Sequence, residues 1–173
     1  RLPYTLVDDK GKVIAEDRHV LSLKDNNQSA NLLALIDAGV SSFKIEGRLK
    51  DLAYVKNITA HYRNLLDGIL EARPQLARAS SGRSTFTFVP RPEKTFNRGY
   101  TDYFAGGRQD DIGAFDSPAF VGEPVGEAAG IGDGWLLVAS DETFHNGDRV
   151  CFHDAGGQVQ GMRINRVEGD KLF

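Results

Sequence analysis

Ser42-Phe43-Lys44-Ile45-Glu46-Gly47-Arg48 is the stretch from which the rest of the chain is read. Phe43 and Ile45 alternate with Lys44 and Glu46, the two-residue period of a strand. Gly47 stops that pattern, and a long amphipathic run begins a few residues later. A strand that ends in Lys, Glu, Gly and Arg before a helix has the form of the functional end of an α/β unit, where ligands gather at the carboxyl ends of strands. A solvated edge strand with ordinary charges fits the same residues, and both readings stand at this point.

Downstream, Leu52, Val55, Ile58, Tyr62, Leu65, Leu66 and Ile69 recur in steps of three and four, so a helix is expected from about Asp51 to Glu71. Each such side chain contributes about 1.5–3 kcal/mol on burial, before entropy is subtracted. Pro74 opposes continuation. Upstream, His19 to Lys24 reads as a buried strand running into the turn-forming Asp25-Asn26-Asn27. Asp25 and Gln28 have the spacing of a capping box for a short helix through Ala30 to Ile36, and Gly39 is placed to end it in a left-handed cap. Further upstream, Asp8-Asp9-Lys10-Gly11-Lys12 separates two extended segments, which predicts a hairpin.

Strand, helix, strand, helix with short connections implies parallel strands joined by a right-handed crossover. Two parallel strands cannot cover both their faces, so the unit is expected to be a slice of a larger sheet or barrel. An Arg at position 1, rather than Met, agrees with a piece of something larger.

The 173 residues are 40% hydrophobic, a globular composition with enough material for one domain or two small ones. Apolar runs are too short to span a bilayer and no basic-then-apolar leader opens the chain, so no membrane role and a cytoplasmic location are expected. A single cysteine, Cys151, excludes an internal disulfide framework and a cysteine metal cluster. The four histidines are too dispersed to make a metal site without outside ligands.

The net charge of -3 hides an uneven distribution. Residues 1–72 are neutral, residues 73–108 carry +5, and residues 109–173 carry -8. Residues 75–118, with Ser80-Ser81-Gly82, Pro90, Pro92 and Pro118, read as a connector with little regular structure. Within it Phe96-Asn97-Arg98-Gly99-Tyr100 interleaves aromatics with an arginine. That pattern suits a contact with single-stranded nucleic acid, and it equally suits a connector pinned to its neighbour. Beyond it, strands are expected at Phe120–Gly126, Trp135–Val138, Arg149–His153 and Val159–Val167, with turns at Asp133-Gly134, Asn146-Gly147-Asp148 and Gly156-Gly157. These make a small barrel or curled sheet.

No His-Glu-x-x-His pair, nucleophile elbow or phosphate loop is present. The candidate constellation is Ser22, Lys24 and Asp25 at one strand end with Lys44, Glu46 and Arg48 at the next, about 5 Å apart if the strands pair. Cations and carboxylates so placed could fix a charged substrate or serve proton transfer. A structural ion-pair layer is the alternative.

Ser42 to Arg48 with Tyr54-Val55 and Tyr62-Arg63, Leu21 to Asn26, and Phe96 to Gly99 together resemble the signature of peptidase family U32, whose members are described as collagenase-like proteases. Arg1 to Leu6 and Asp111 to Pro118 bring the resemblance closest to the family's ribosomal RNA cytidine hydroxylase branch. That resemblance implies an α+β chain in three parts. Residues 1–74 would be the last two strand-helix units of a TIM-like barrel, residues 75–118 a connector, and residues 119–173 a small barrel similar to the second domain of elongation factors.

The resemblance further implies an enzyme that hydroxylates a cytidine of large-subunit ribosomal RNA through a prephenate-derived pathway. Its iron–sulfur cluster would be held by cysteines upstream of Arg1, with none held here. Lys24, Asp25, Lys44, Glu46 and Arg48 would then be catalytic, with Glu46 in acid–base or ligand-orienting work and Arg48 clamping an anion. Ser22, Arg91, Lys94, Asn97, Arg98 and Tyr100 would bind substrate. A peptidase acting on peptides, or a non-catalytic RNA- or ribosome-binding module, are the alternatives. The oligomeric state is left open.

Overall fold

In the computed structural model, which describes residues 2–115, 122–154, 156 and 159–173, the chain is a mixed α/β molecule with two helices and several small sheets. The hairpin forms as expected. Strand β1 (Tyr4–Val7) pairs antiparallel with β2 (Val13–Arg18), with Leu6 opposite Ala15 and Val7 opposite Val13. The Asp8 carboxylate holds the turn by accepting from the backbone N–H groups of Lys10 and Lys12, both at 2.9 Å.

The expected buried strand over His19–Lys24 does not form. Ser22 N–H donates to the His19 carbonyl and closes a turn, Leu23 makes a single antiparallel bridge with Gly113, and the first strand after the hairpin is β3 (Asp25–Asn26). The expected strand at Phe43–Glu46 is also absent: those residues are irregular and exposed. Alternation supplies the side-chain pattern of a strand but no partner, and β3 has taken a different one. It pairs in parallel with β4 (Tyr100–Thr101), which lies inside the connector, with Asp25 beside Tyr100 and Asn26 beside Thr101. The strand ends at Asp25 and Glu46 are therefore not sheet neighbours.

Both helices fall where periodicity puts them. A 3-10 turn (Ser29–Asn31) leads into α1 (Leu32–Asp37). No side chain caps its start, because the Asp25 carboxylate is engaged by Arg98 and the expected capping box is not made. Its end is a Schellman motif: Gly39, at φ +96°, donates to the Ile36 carbonyl and Val40 donates to that of Leu35. Helix α2 (Leu52–Ala72) starts at Asp51, whose carboxylate accepts from Tyr54 N–H at 2.8 Å.

In the tail, β5 (Glu127–Gly132), β6 (Trp135–Ala139), β9 (Val167–Glu168) and β10 (Lys171–Leu172) form an antiparallel sheet in the order β5-β6-β10-β9. Strands β7 (Arg149–His153) and β8 (Val159–Arg163) form a separate hairpin. Buried Leu136, Val138, Ile164 and Leu172 make the core between them, with Phe144, Val150, Phe152 and Met162 packed against it. No closed barrel occurs among the described residues. Of the strand expected at Phe120–Gly126, residues 122–126 are irregular and Phe120 and Val121 lie outside the described residues. Gly157, half of an expected turn, lies outside them too.

Candidate functional site

The connector is pinned. Phe96 to Thr101 folds back along Asp25 to Asn27, and the Asp25 carboxylate accepts three hydrogen bonds there. Arg98 Nη2 donates at 2.8 Å, Arg98 Nε at 3.2 Å and the Arg98 backbone N–H at 2.9 Å. The fork geometry is that of a bidentate arginine–carboxylate pair, which is about twice as strong as a neutral hydrogen bond. Asn97, 3% exposed, locks the turn by donating to the carbonyls of Glu93 and Thr95 and accepting from Gly99 N–H. The Tyr100 hydroxyl donates to the Pro92 carbonyl at 3.0 Å; burial pushes its phenol pKa well up, so it stays a donor.

Around this junction lies a small hollow lined by Asp25, Asn27, Tyr54, His61, Phe96 and Tyr100, among others. Lys50 Nζ sits 3.2 Å from the centre of the Phe96 ring and 5.5 Å from that of Tyr54, and burial lowers its pKa. The Asn27 side-chain oxygen accepts from Ser29 Oγ at 2.5 Å and from the Tyr62 hydroxyl at 3.1 Å. Ser29 Oγ also lies 2.8 Å from His61 Nε2, and burial lowers that imidazole's pKa. Tyr62 belongs to the helix periodicity and both Tyr54 and Tyr62 to the family signature, whereas nothing in the sequence marks Lys50 or His61 for this place. Their convergence on the Asp25 turn depends on β3 choosing β4, which no local pattern signals.

The expected catalytic residues are only partly brought together. Asp25 is at the centre, tied to Arg98. Lys24 turns away and pairs with Asp111 at 2.6 Å. Lys44 and Glu46 pair with each other at 3.1 Å while 85% and 76% exposed, and Arg48 is exposed. The two groups are linked through Tyr54, which lines the hollow and donates its hydroxyl to the Glu46 carbonyl at 3.3 Å. Ser22 is fully buried, and its hydroxyl has no hydrogen-bond partner among the described residues.

The expected substrate contacts are largely occupied by the chain itself. Arg91 pairs with Glu123 and, at 3.5 Å, with Glu142; Lys94 reaches Glu142 at 3.3 Å and Glu123 at 3.8 Å. The hydrogen bond from Lys94, followed by the nearby positive charge, holds Glu142 below its ordinary range. Arg73 pairs with Asp37, and Arg78 with Asp67. Five of the seven cations of residues 73–108 are thus ion-paired, leaving Arg83 and Arg108 without an ion pair among the described residues.

No group of three metal-ligating side chains occurs among the described residues. Cys151 stands in β7, half-buried, with its thiol pushed up by burial. Such a thiol is a poor cluster ligand, so these residues do not fit an iron–sulfur site. No described helix is long and apolar enough to cross a membrane.

The chain is 60% identical, over 97% of its length, to the "23S rRNA 5-hydroxycytidine C2501 synthase" of Escherichia coli (strain K12). It is 26% identical to a collagenase of Porphyromonas gingivalis and 27% identical to that of strain ATCC BAA-308 / W83, again over 97% of the chain. The alignments span 26%, 46% and 40% of those proteins. No solved structure matches. The family model described as Peptidase family U32 matches residues 1–114, which hold the hairpin, the Asp25–Arg98 junction and both helices, and the chain belongs to that family.

Proposed function

We propose that this chain is part of an enzyme that hydroxylates a cytidine of large-subunit ribosomal RNA. The observation that carries the reading is the 60% identity to the rRNA 5-hydroxycytidine synthase, held across 97% of the chain, against 26–27% to the collagenases. No hydrolytic motif in the sequence supports peptide cleavage. Residues 1–74 would belong to a TIM-like barrel. Fifteen of the twenty exposed large hydrophobics fall between Leu2 and Val55, an amount of apolar surface that calls for further covering structure. Residues 119–173 would be an elongation-factor-like small barrel, a reading supported by one core shared between an open sheet and a hairpin. Glu46 would do acid–base or orienting work and Arg48 would clamp an anion, a reading supported by their exposure and by the Tyr54 hydroxyl's bond to the Glu46 carbonyl. The iron–sulfur cluster would lie on cysteines outside this chain, and no step is assigned to it.

The test is mass spectrometry of 23S rRNA from cells lacking the gene, with and without the gene restored. Loss and return of a hydroxylated cytidine is the expected result. Unchanged rRNA would overturn the reading and leave the family's collagenase-like activity as the next assay.

A further inference from the structure

We infer that Arg149 and Arg163 form a second anion site, a clamp for the phosphate backbone of single-stranded RNA; the identity of the ligand rests on the rRNA reading above. The two residues are direct cross-strand partners in the β7–β8 hairpin, so their side chains leave the same face. Like charges in that arrangement destabilise a hairpin. The surroundings make the pairing conspicuous. Residues 109–173 carry twelve acidic and four basic side chains. The other two cations are engaged: Arg166 pairs with Glu168 and stacks on Phe173, and Lys171 lies over Trp135. Arg149 and Arg163 have no ion pair among the described residues, although acids outnumber bases three to one.

The backbone under them is fixed. Gly147 N–H donates to the Ile164 carbonyl at 2.7 Å, and Ile164 N–H donates to the Asp148 carbonyl at 2.8 Å. Ile164 is fully buried, so each arginine stands one residue from an anchored position. Both line a cleft of about 700 Å³ that also has Lys94 and Phe144 in its wall. Cys151 and Gly161 follow on the same face, and the open space beside Gly161 leaves room over the hairpin. The cleft's carboxylates are already committed: Glu123 and Glu142 to Arg91 and Lys94, and Asp148 to His145 N–H at 2.8 Å. Two guanidinium groups on one face, beside the ion-paired Glu123 and Glu142, suit recognition of a phosphate.

The test is anisotropy of a short fluorescein-labelled single-stranded RNA with the full chain and its R149Q/R163Q variant, across a salt series. Binding should weaken at least roughly tenfold, because two charge-assisted contacts are lost. The slope of log affinity on log salt should flatten by about 1.4, two phosphates' worth for a single strand. R149K/R163K should restore the salt slope, because the charge is kept, but only part of the affinity, because the bidentate fork is lost. The melting temperature of R149Q/R163Q should hold or rise as the repulsion is relieved, which separates lost contact from lost fold. Equal affinity and slope in R149Q/R163Q, or no binding by the unaltered chain, overturns the clamp. Equal competition by a poly-glutamate peptide overturns the assignment to nucleic acid. The rRNA mass spectrometry reports separately on the hydroxylase reading: RNA binding lost in the variant with unchanged rRNA in the deletion strain would sink that reading and keep the clamp.

Discussion

Arg98 Nη2 lies 2.8 Å from Asp25 Oδ1, so a residue of the connector closes a charged fork on a residue 73 positions earlier in the chain. That fork, with the parallel pairing of Asp25 to Tyr100, fastens residues 98–101 to Asp25–Asn26. Removing one partner of a partly buried pair strands the other. Asp25→Ala should therefore destabilise the protein by about 2–3 kcal/mol. Adding Arg98→Ala should cost markedly less than the sum of the two single changes. Urea denaturation of the four proteins of the cycle measures this, and additive effects would mean that the fork is not a coupled unit.

The helix start offers a local test. Asp51→Ala removes the acceptor for Tyr54 N–H at the beginning of α2 and should cost about 1 kcal/mol. Asp51→Asn and Asp51→Ser should retain most of that stability in the same denaturation experiment.

His61 predicts a pH dependence with a definite sign. Burial lowers its pKa, so the folded state binds fewer protons than the unfolded one below the ordinary histidine value of about 6.5. Its contribution to stability is complete above that value and is lost as the pH falls through the depressed folded value. Melting temperatures between neutral and mildly acid pH should fall more steeply for the unaltered protein than for His61→Gln. Parallel curves would show that burial does not hold the imidazole neutral in the folded state.

Local patterns and pairing partners were not equally legible. The two helices, the first hairpin, the Gly39 cap and the turns at Asp133-Gly134 and Asn146-Gly147 were readable because spacing and turn chemistry act over a few residues. The Phe43–Glu46 strand was not, because alternation cannot say whether a neighbour exists to pair with it. The same limit hid the site. Grouping Ser22, Lys24 and Asp25 with Lys44, Glu46 and Arg48 assumes a parallel sheet pair, whereas Asp25 instead gathers Arg98, Lys50, Tyr54 and Phe96 around it. The positive total of residues 73–108 is legible in the sequence. Which arginines lack an ion pair among the described residues is a tertiary fact, and they include Arg149 and Arg163 of the acidic tail.

Glu46 separates catalysis from stability. It is exposed, and its one side-chain ion pair among the described residues, with the exposed Lys44, is of the kind worth about 0–1 kcal/mol. Glu46→Gln should leave the melting temperature nearly unchanged, since exposed substitutions of this sort stay within about 0.5 kcal/mol. If its carboxylate moves a proton or orients a ligand, the same change should lower modification by roughly 100-fold or more, the usual scale for a general acid or base. Lys44→Gln serves as the control: it breaks the same ion pair but leaves the carboxylate in place. Mass spectrometry of 23S rRNA from complemented cells reads all three proteins. Full modification with Glu46→Gln would remove Glu46 from the chemistry, and equal losses for both variants would assign the effect to the ion pair.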